Sequence, residues 1–209
     1  MTVRTLIYVV AIFLPLYVEA NHETITAAQV GLIIGAVTLT NAILCIPTGF
    51  LLFYISHKTL ALTGQGIVVL ACFVFALTTF IQNDTTFFYV CYISRLLIGI
   101  GTAIYNVSSL AILTIEFEEI RSKILFEYVK WEGFGILAGP IFGGILYIPL
   151  GFAGAVFGVA LINVFAFTLS VCWLPARINE FREIQNRRAE EKKAAEQADS
   201  IANDGNAEQ

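Results

Sequence analysis

Six long apolar runs constrain what this chain can fold into. Each run is close to the ~20 residues that a helix needs to cross the hydrocarbon core of a bilayer. None of them alternates apolar and polar residues, so they predict helices rather than strands. We predict an all-α membrane protein with one six-helix transmembrane bundle over residues 1–175, with spans at about 4–20, 29–54, 60–81, 87–114, 128–147 and 152–174.

The placement of basic residues predicts the orientation of these spans. With the N-terminus inside, the outer segments 20–28, 82–86 and 148–151 contain no lysine or arginine, whereas the inner segments contain Arg4, Lys58, Arg121 and Lys123. Cytoplasmic loops carry such an excess. We therefore predict a multi-pass protein with both termini in the cytoplasm. The sequence does not distinguish a vesicle or vacuole membrane from the plasma membrane. Alternatively, the first span is a signal peptide, since Val18 and Ala20 fit a cleavage site.

The last segment, 176–209, has a different composition. It is rich in Ala, Glu, Lys, Arg and Gln, which favour helix. Because no apolar face continues beyond its first turns, we predict a charged cytoplasmic tail that is helical at first and then disordered.

Other classes of protein are excluded by what the sequence lacks. Its four cysteines form no CxxC pair, its two histidines belong to loops on opposite sides of the predicted membrane, and it has no phosphate-binding loop or Ser-His-Asp set. We predict no metal, no cofactor, no nucleic-acid partner and no enzymatic activity. A chain that is 57% hydrophobic and 13% charged has membrane lipid as its main partner.

A glycine-rich string, GILAGPIFGG, lies inside the fifth span. Gly135, Gly139 and Gly143 are four residues apart and line one helix face, where small residues allow close packing between membrane helices. Pro140 cannot donate a hydrogen bond to the carbonyl of Ile136, which weakens the helix there. The string, which ends with Gly144, predicts a tight but bendable helix contact.

Three motifs resemble those of the major facilitator superfamily. GILAGPIFGG looks like the fifth-helix signature of its proton-coupled antiporters. SRLLIGIGTAIYN is similar to the fourth-helix motif RxxxGxG, with Arg95, Gly99 and Gly101 in place. The inner-loop motif G-x-L-A-D-R-x-G-R-K is matched only in part, by Gly49, Leu51 and Lys58. Among branches, the vesicular amine and polyamine transporters look most similar.

The resemblance implies one half of a twelve-helix transporter. A second six-helix half, on the same or a separate chain, would complete a cavity that opens alternately to each side. The implied activity is transport of a small organic solute, cationic and exchanged for protons. In the inner-loop motif, Phe53 and Tyr54 replace the acid and the first arginine, so the usual ion pair at the inner gate cannot form. The alternative is therefore a structural or accessory membrane subunit that does not transport.

Four residues are candidates for the coupling site and cavity. Arg95 falls near the middle of the bilayer, where charges usually serve function; it either tunes a proton-carrying acid or is held by polar neighbours. Glu132 is the candidate acid, or else an interfacial residue beside Lys130. Tyr105 and Asn106 either line the cavity or pack in the core.

Overall fold

The computed structural model describes residues 2–21, 24–117 and 120–173, and its regular structure in these ranges is helical. A 3₁₀ turn, Thr78–Phe80, extends the third helix. The helices are α1 Thr2–Asn21, α2 Ala27–Leu51, α3 His57–Leu77, α4 Asp84–Glu116 and α5 Arg121–Trp173. The predicted tail, 176–209, lies outside the described residues.

Four of the helical segments are long and apolar enough to cross a membrane, namely Ala27–Leu51, His57–Phe80, Asp84–Ile115 and Arg121–Cys172. In α1, the apolar segment is shorter, Ile7–Asn21. The prediction of an all-helical membrane protein is thus confirmed in the described part of the chain.

The longest helix, α5, reverses direction at one residue. Gly151 has φ 66° and ψ −168°, a conformation that is essentially restricted to glycine. A Cβ atom on Gly158 would lie 2.7 Å from Cδ1 of Leu146. In a straight helix these two residues would be about 18 Å apart. The arms 121–150 and 152–173 therefore fold back against each other, at the position where the sequence has its short connection between the last two predicted runs.

Local capping explains where three helices begin. Thr26 and Gln29 form a capping box at α2, in which the Thr26 hydroxyl accepts from the Gln29 amide at 3.4 Å. Ser56 accepts from the Thr59 amide at the start of α3, and Asn83 accepts from the Thr85 amide at 3.1 Å at the start of α4. These side chains pair amide donors that have no partner within the helix.

The centre of the bundle is α4, which packs against α2 on one side and α3 on the other. Helix α1 packs mainly against α5, and α3 also contacts α5. Buried apolar side chains from all five helices form a continuous core that includes Leu14, Ile33, Phe75, Phe87 and Phe152. Arg95 of α4 is buried beside this core, in contact with Phe75.

Candidate functional site

The two glycines of the fourth-helix motif face different neighbours. A Cβ atom on Gly99 would lie 2.9 Å from the carbonyl oxygen of Val37 in α2. A Cβ atom on Gly101 would lie 2.7 Å from the carbonyl oxygen of Gly64 in α3. Because these contacts are to backbone atoms, the motif lets α4 lie in close contact with α2 and α3 at once. That packing fixes the position of the helix that carries Arg95.

Arg95 is a buried charge at mid-depth. Its side chain is 1% exposed, and its guanidinium carbon lies 4.6 Å from the ring centroid of Phe75. Among the described residues, its Nε and Nη2 atoms have no hydrogen-bond partner. Arg95 follows the first residue of α4 by eleven positions, which is about 16 Å along the helix, or half of a core about 30 Å thick.

Glu132 lies at a different depth from Arg95. It accepts a hydrogen bond of 3.4 Å from the Tyr128 hydroxyl and interacts electrostatically with Tyr105 of α4. Tyr105 is ten residues beyond Arg95, or about 15 Å along α4. Tyr105 and Glu132, two of the predicted site residues, are thus near enough to interact electrostatically, and Tyr105 lies about three helical turns beyond the buried arginine. Nearby, Lys130 pairs with Glu127 at 2.6 Å.

The remaining predicted residues are spread over the bundle. Asn106 is half-buried on α4. At the inner turn, Gly49 and Leu51 lie near the end of α2 and Lys58 near the start of α3. Between them, Phe53 and Tyr54 are 72% and 82% exposed. These two side chains are too apolar to replace an ion pair at this turn.

The glycine string of α5 packs against α1. Gly135, Gly139 and Gly143 are all buried, whereas Pro140 and Gly144 are half-buried. A Cβ atom on Gly143 would lie 2.7 Å from the Phe13 ring and 3.1 Å from two methyl carbons of Val9.

We expect Gly143→Leu to lower stability, because a bulky side chain would force α1 away from α5. Overpacking of this kind costs about 1–3 kcal/mol. Thermal unfolding in detergent measures the effect, with Gly133→Leu as the control, since a Cβ at Gly133 has no neighbour within 4 Å. Equal melting temperatures for the two variants would contradict a close α1–α5 contact at Gly143.

Sequence reasoning missed two cavities between α1 and α2. The outer cavity, about 660 Å³, is bordered by Pro15, Glu19 and Gly31 among others. The inner cavity, about 220 Å³, includes Tyr8, Thr38 and Asn41 in its lining. The sequence did show polar side chains within apolar runs. In the inner cavity, however, Tyr8 lies thirty or more positions from Thr38 and Asn41 and belongs to a different helix.

Comparison with known proteins gives a consistent result. A sequence model of the family described as Major Facilitator Superfamily matches residues 1–202. The MFS-type transporter SLC18B1 of Rattus norvegicus is 23% identical over 158 residues, which cover 76% of this chain and 35% of that protein. The Probable vesicular acetylcholine transporter-A of Danio rerio is 29% identical over 121 residues, which cover 57% of this chain and 22% of that protein.

These matches confirm the resemblance that the three motifs indicated. The chain spans 35% or less of the length of these relatives. Both relatives are named as transporters, which agrees with the prediction that the chain is not an enzyme.

Proposed function

Because the chain belongs to the major facilitator superfamily, we propose that it forms a six-helix half of a transporter that moves a small organic cation in exchange for protons. In this proposal the two arms of α5 are separate spans, which gives six crossings. A second six-helix half, on the same or a separate chain, completes the cavity. Both ends of the described bundle then face the cytoplasm, since the described outer turns carry no lysine or arginine.

The observation that carries the proposal is the burial of Arg95. A cation at the centre of a membrane helix costs about 2.5–3.5 kcal/mol on insertion scales. Here the charge is 1% exposed and leaves two nitrogen donors unpaired in the described part of the chain. Because no ion pair among the described residues offsets the cost of burying this charge, we infer that Arg95 serves function rather than stability.

We assign Arg95 the role of a fixed positive charge and Glu132 that of a proton-carrying acid. Opposite charges separated by about 15 Å, the axial offset between Arg95 and Tyr105 on α4, would attract by roughly 1 kcal/mol at an effective dielectric constant of 20. This is enough to bias protonation but not to form a direct pair, so the coupling is electrostatic in this conformation. The Tyr128 hydroxyl positions the Glu132 carboxyl.

The relatives support transport of a cation over the accessory-subunit alternative. Each is named as a transporter, and the name of the Danio rerio protein includes acetylcholine, an organic cation. Exposed Phe53 and Tyr54 favour an inner gate held by contacts other than the usual ion pair.

Uptake into proteoliposomes tests the proposal. With the interior acidic, we expect the purified chain, together with any partner half that copurifies, to accumulate radiolabelled acetylcholine or a primary diamine above the level of protein-free vesicles. A proton ionophore should abolish the accumulation, because it removes the gradient that drives exchange. Uptake that is the same with and without the gradient would contradict proton coupling, and no uptake of any cation would contradict the proposed function.

A further inference from the structure

The inner cavity between α1 and α2 has a lining that is partly polar and partly apolar. Its walls are Ile7 and Tyr8 of α1 and Val37, Thr38, Asn41 and Ala42 of α2. Its volume, about 220 Å³, corresponds to roughly seven water molecules at ~30 Å³ each. It is therefore large enough for part of a small solute.

The hydroxyl groups in this cavity have no partner among the described residues. Other hydroxyls in the helices bond back to a carbonyl one turn earlier, as Thr48 does to Leu44 and Thr102 to Ile98, both at 2.6 Å. Neither Thr38 nor Tyr8 makes such a bond in the described part of the chain. Tyr8 is half-buried and Thr38 is exposed, so both hydroxyls are accessible to a bound ligand or water.

Asn41 adds a donor to the same cavity. Its Oδ1 accepts a 3.2 Å hydrogen bond from the Cys45 thiol, which fixes the amide and leaves the Nδ2 hydrogens for another partner. Together, Tyr8, Thr38 and Asn41 offer donors and acceptors but no charge. The lining of the inner cavity includes no acid, so it does not itself select a cation.

The inner and outer cavities border neighbouring turns of α2. On α2, the lining of the outer cavity ends at Ile34. The lining of the inner cavity begins at Val37, about one helical turn further along. A Cβ atom added to Gly31 or Gly35 of α2 would have no neighbouring atom within 4 Å. On α1, Pro15 borders the outer cavity and has no N–H to donate to the Ala11 carbonyl. The α2 surface between the two cavities is thus unobstructed at Gly35.

From this geometry we propose that Tyr8, Thr38 and Asn41 bind an uncharged hydrogen-bonding group of the transported solute, such as a hydroxyl, carbonyl or amide. The inference rests on the proposed function and deepens it. It separates recognition of the neutral part of the solute, at the inner cavity, from the proton coupling that we assign to Arg95 and Glu132.

Kinetics of uptake test the proposal with three conservative variants, Tyr8→Phe, Thr38→Val and Asn41→Leu. For the cation that the wild type accumulates, we expect KM to rise about threefold to tenfold in each variant, as for the loss of one hydrogen bond, with kcat within about twofold. The matched control is Thr168→Val, whose hydroxyl bonds Val164 of its own helix. Unchanged KM in all three variants, with wild-type uptake intact, would overturn this inference and leave the proposed function standing.

Thiol labelling tests the cavity without any transport. In a chain with Cys45→Ser and Cys172→Ser, we compare Thr38→Cys with Leu39→Cys, whose native side chain is 64% exposed on the apolar surface of α2. The probe is 2-(trimethylammonium)ethyl methanethiosulfonate, a charged reagent that needs a thiolate in water. Reaction at position 38 about tenfold faster than at 39 supports a polar, water-filled cleft. Equal rates at the two positions would overturn it.

Discussion

Arg95→Met lowers gradient-driven uptake several-fold or more while the bundle stays folded. The substitution removes the charge but keeps most of the apolar contact with Phe75, whose ring lies 4.6 Å from the guanidinium. Coupling free energies of 1–3 kcal/mol correspond to changes of about 5-fold to 150-fold, so we expect uptake to fall by at least about 5-fold. Removing a charge that costs about 2.5–3.5 kcal/mol in the membrane should not lower the melting temperature. Uptake in proteoliposomes and thermal unfolding in detergent measure the two effects.

Lys130→Met is the matched control, because Lys130 is 41% exposed and pairs with Glu127 within its own helix. We expect its uptake to remain near the wild-type rate. Uptake at the wild-type rate in Arg95→Met would refute the coupling role. Loss of the folded bundle in Arg95→Met, but not in Arg95→Lys, would instead assign the arginine to the structure of the α3–α4 contact.

Gly101→Leu prevents formation of a stable bundle. A Cβ at this position already lies 2.7 Å from the Gly64 carbonyl and 3.0 Å from the Val68 amide nitrogen, and neither backbone atom can move without shifting α3. We expect Gly101→Ala to cost about 1–3 kcal/mol, and the larger side chain to separate α4 from α3 altogether. Size-exclusion chromatography and thermal unfolding in detergent detect the loss.

The control for this prediction is Gly133→Ala and Gly133→Leu, because a Cβ at Gly133 has open space around it. Both control variants should elute and unfold like the wild type, since alanine and leucine favour helix more than glycine does. A normal melting curve for Gly101→Leu would show that the α3–α4 contact is looser than the structure indicates.

The sequence predicted some of these features and could not predict others. The length of the apolar runs indicated membrane helices, because the bilayer fixes how many residues a crossing needs. The spacing in RxxxGxG indicated close packing, but not that Gly99 meets α2 while Gly101 meets α3. That division depends on which helices lie next to α4, and this is a property of the tertiary structure.

The candidate site was also only partly predictable. Isolated charges in apolar runs pointed to Arg95 and Glu132, but their separation along the bundle emerges only from the electrostatic interaction of Glu132 with Tyr105. Tyr8 and Thr38 carry no charge and follow no motif. They become candidates only because the structure places both in the lining of the inner cavity. Uncharged polar groups become informative once their hydrogen-bond partners are known.

The reversal of α5 at Gly151 limits how the face that we propose to be the outer one can be reached. Ile148 is 87% exposed and Leu150 is 60% exposed at the tip of this hairpin, which has no polar loop. Such a tip remains submerged among lipid tails, because raising it into water would expose its apolar side chains. We therefore expect an antibody or a protease in water not to reach this tip. An epitope tag on the same face belongs at the polar turns near Thr24 or Asn83.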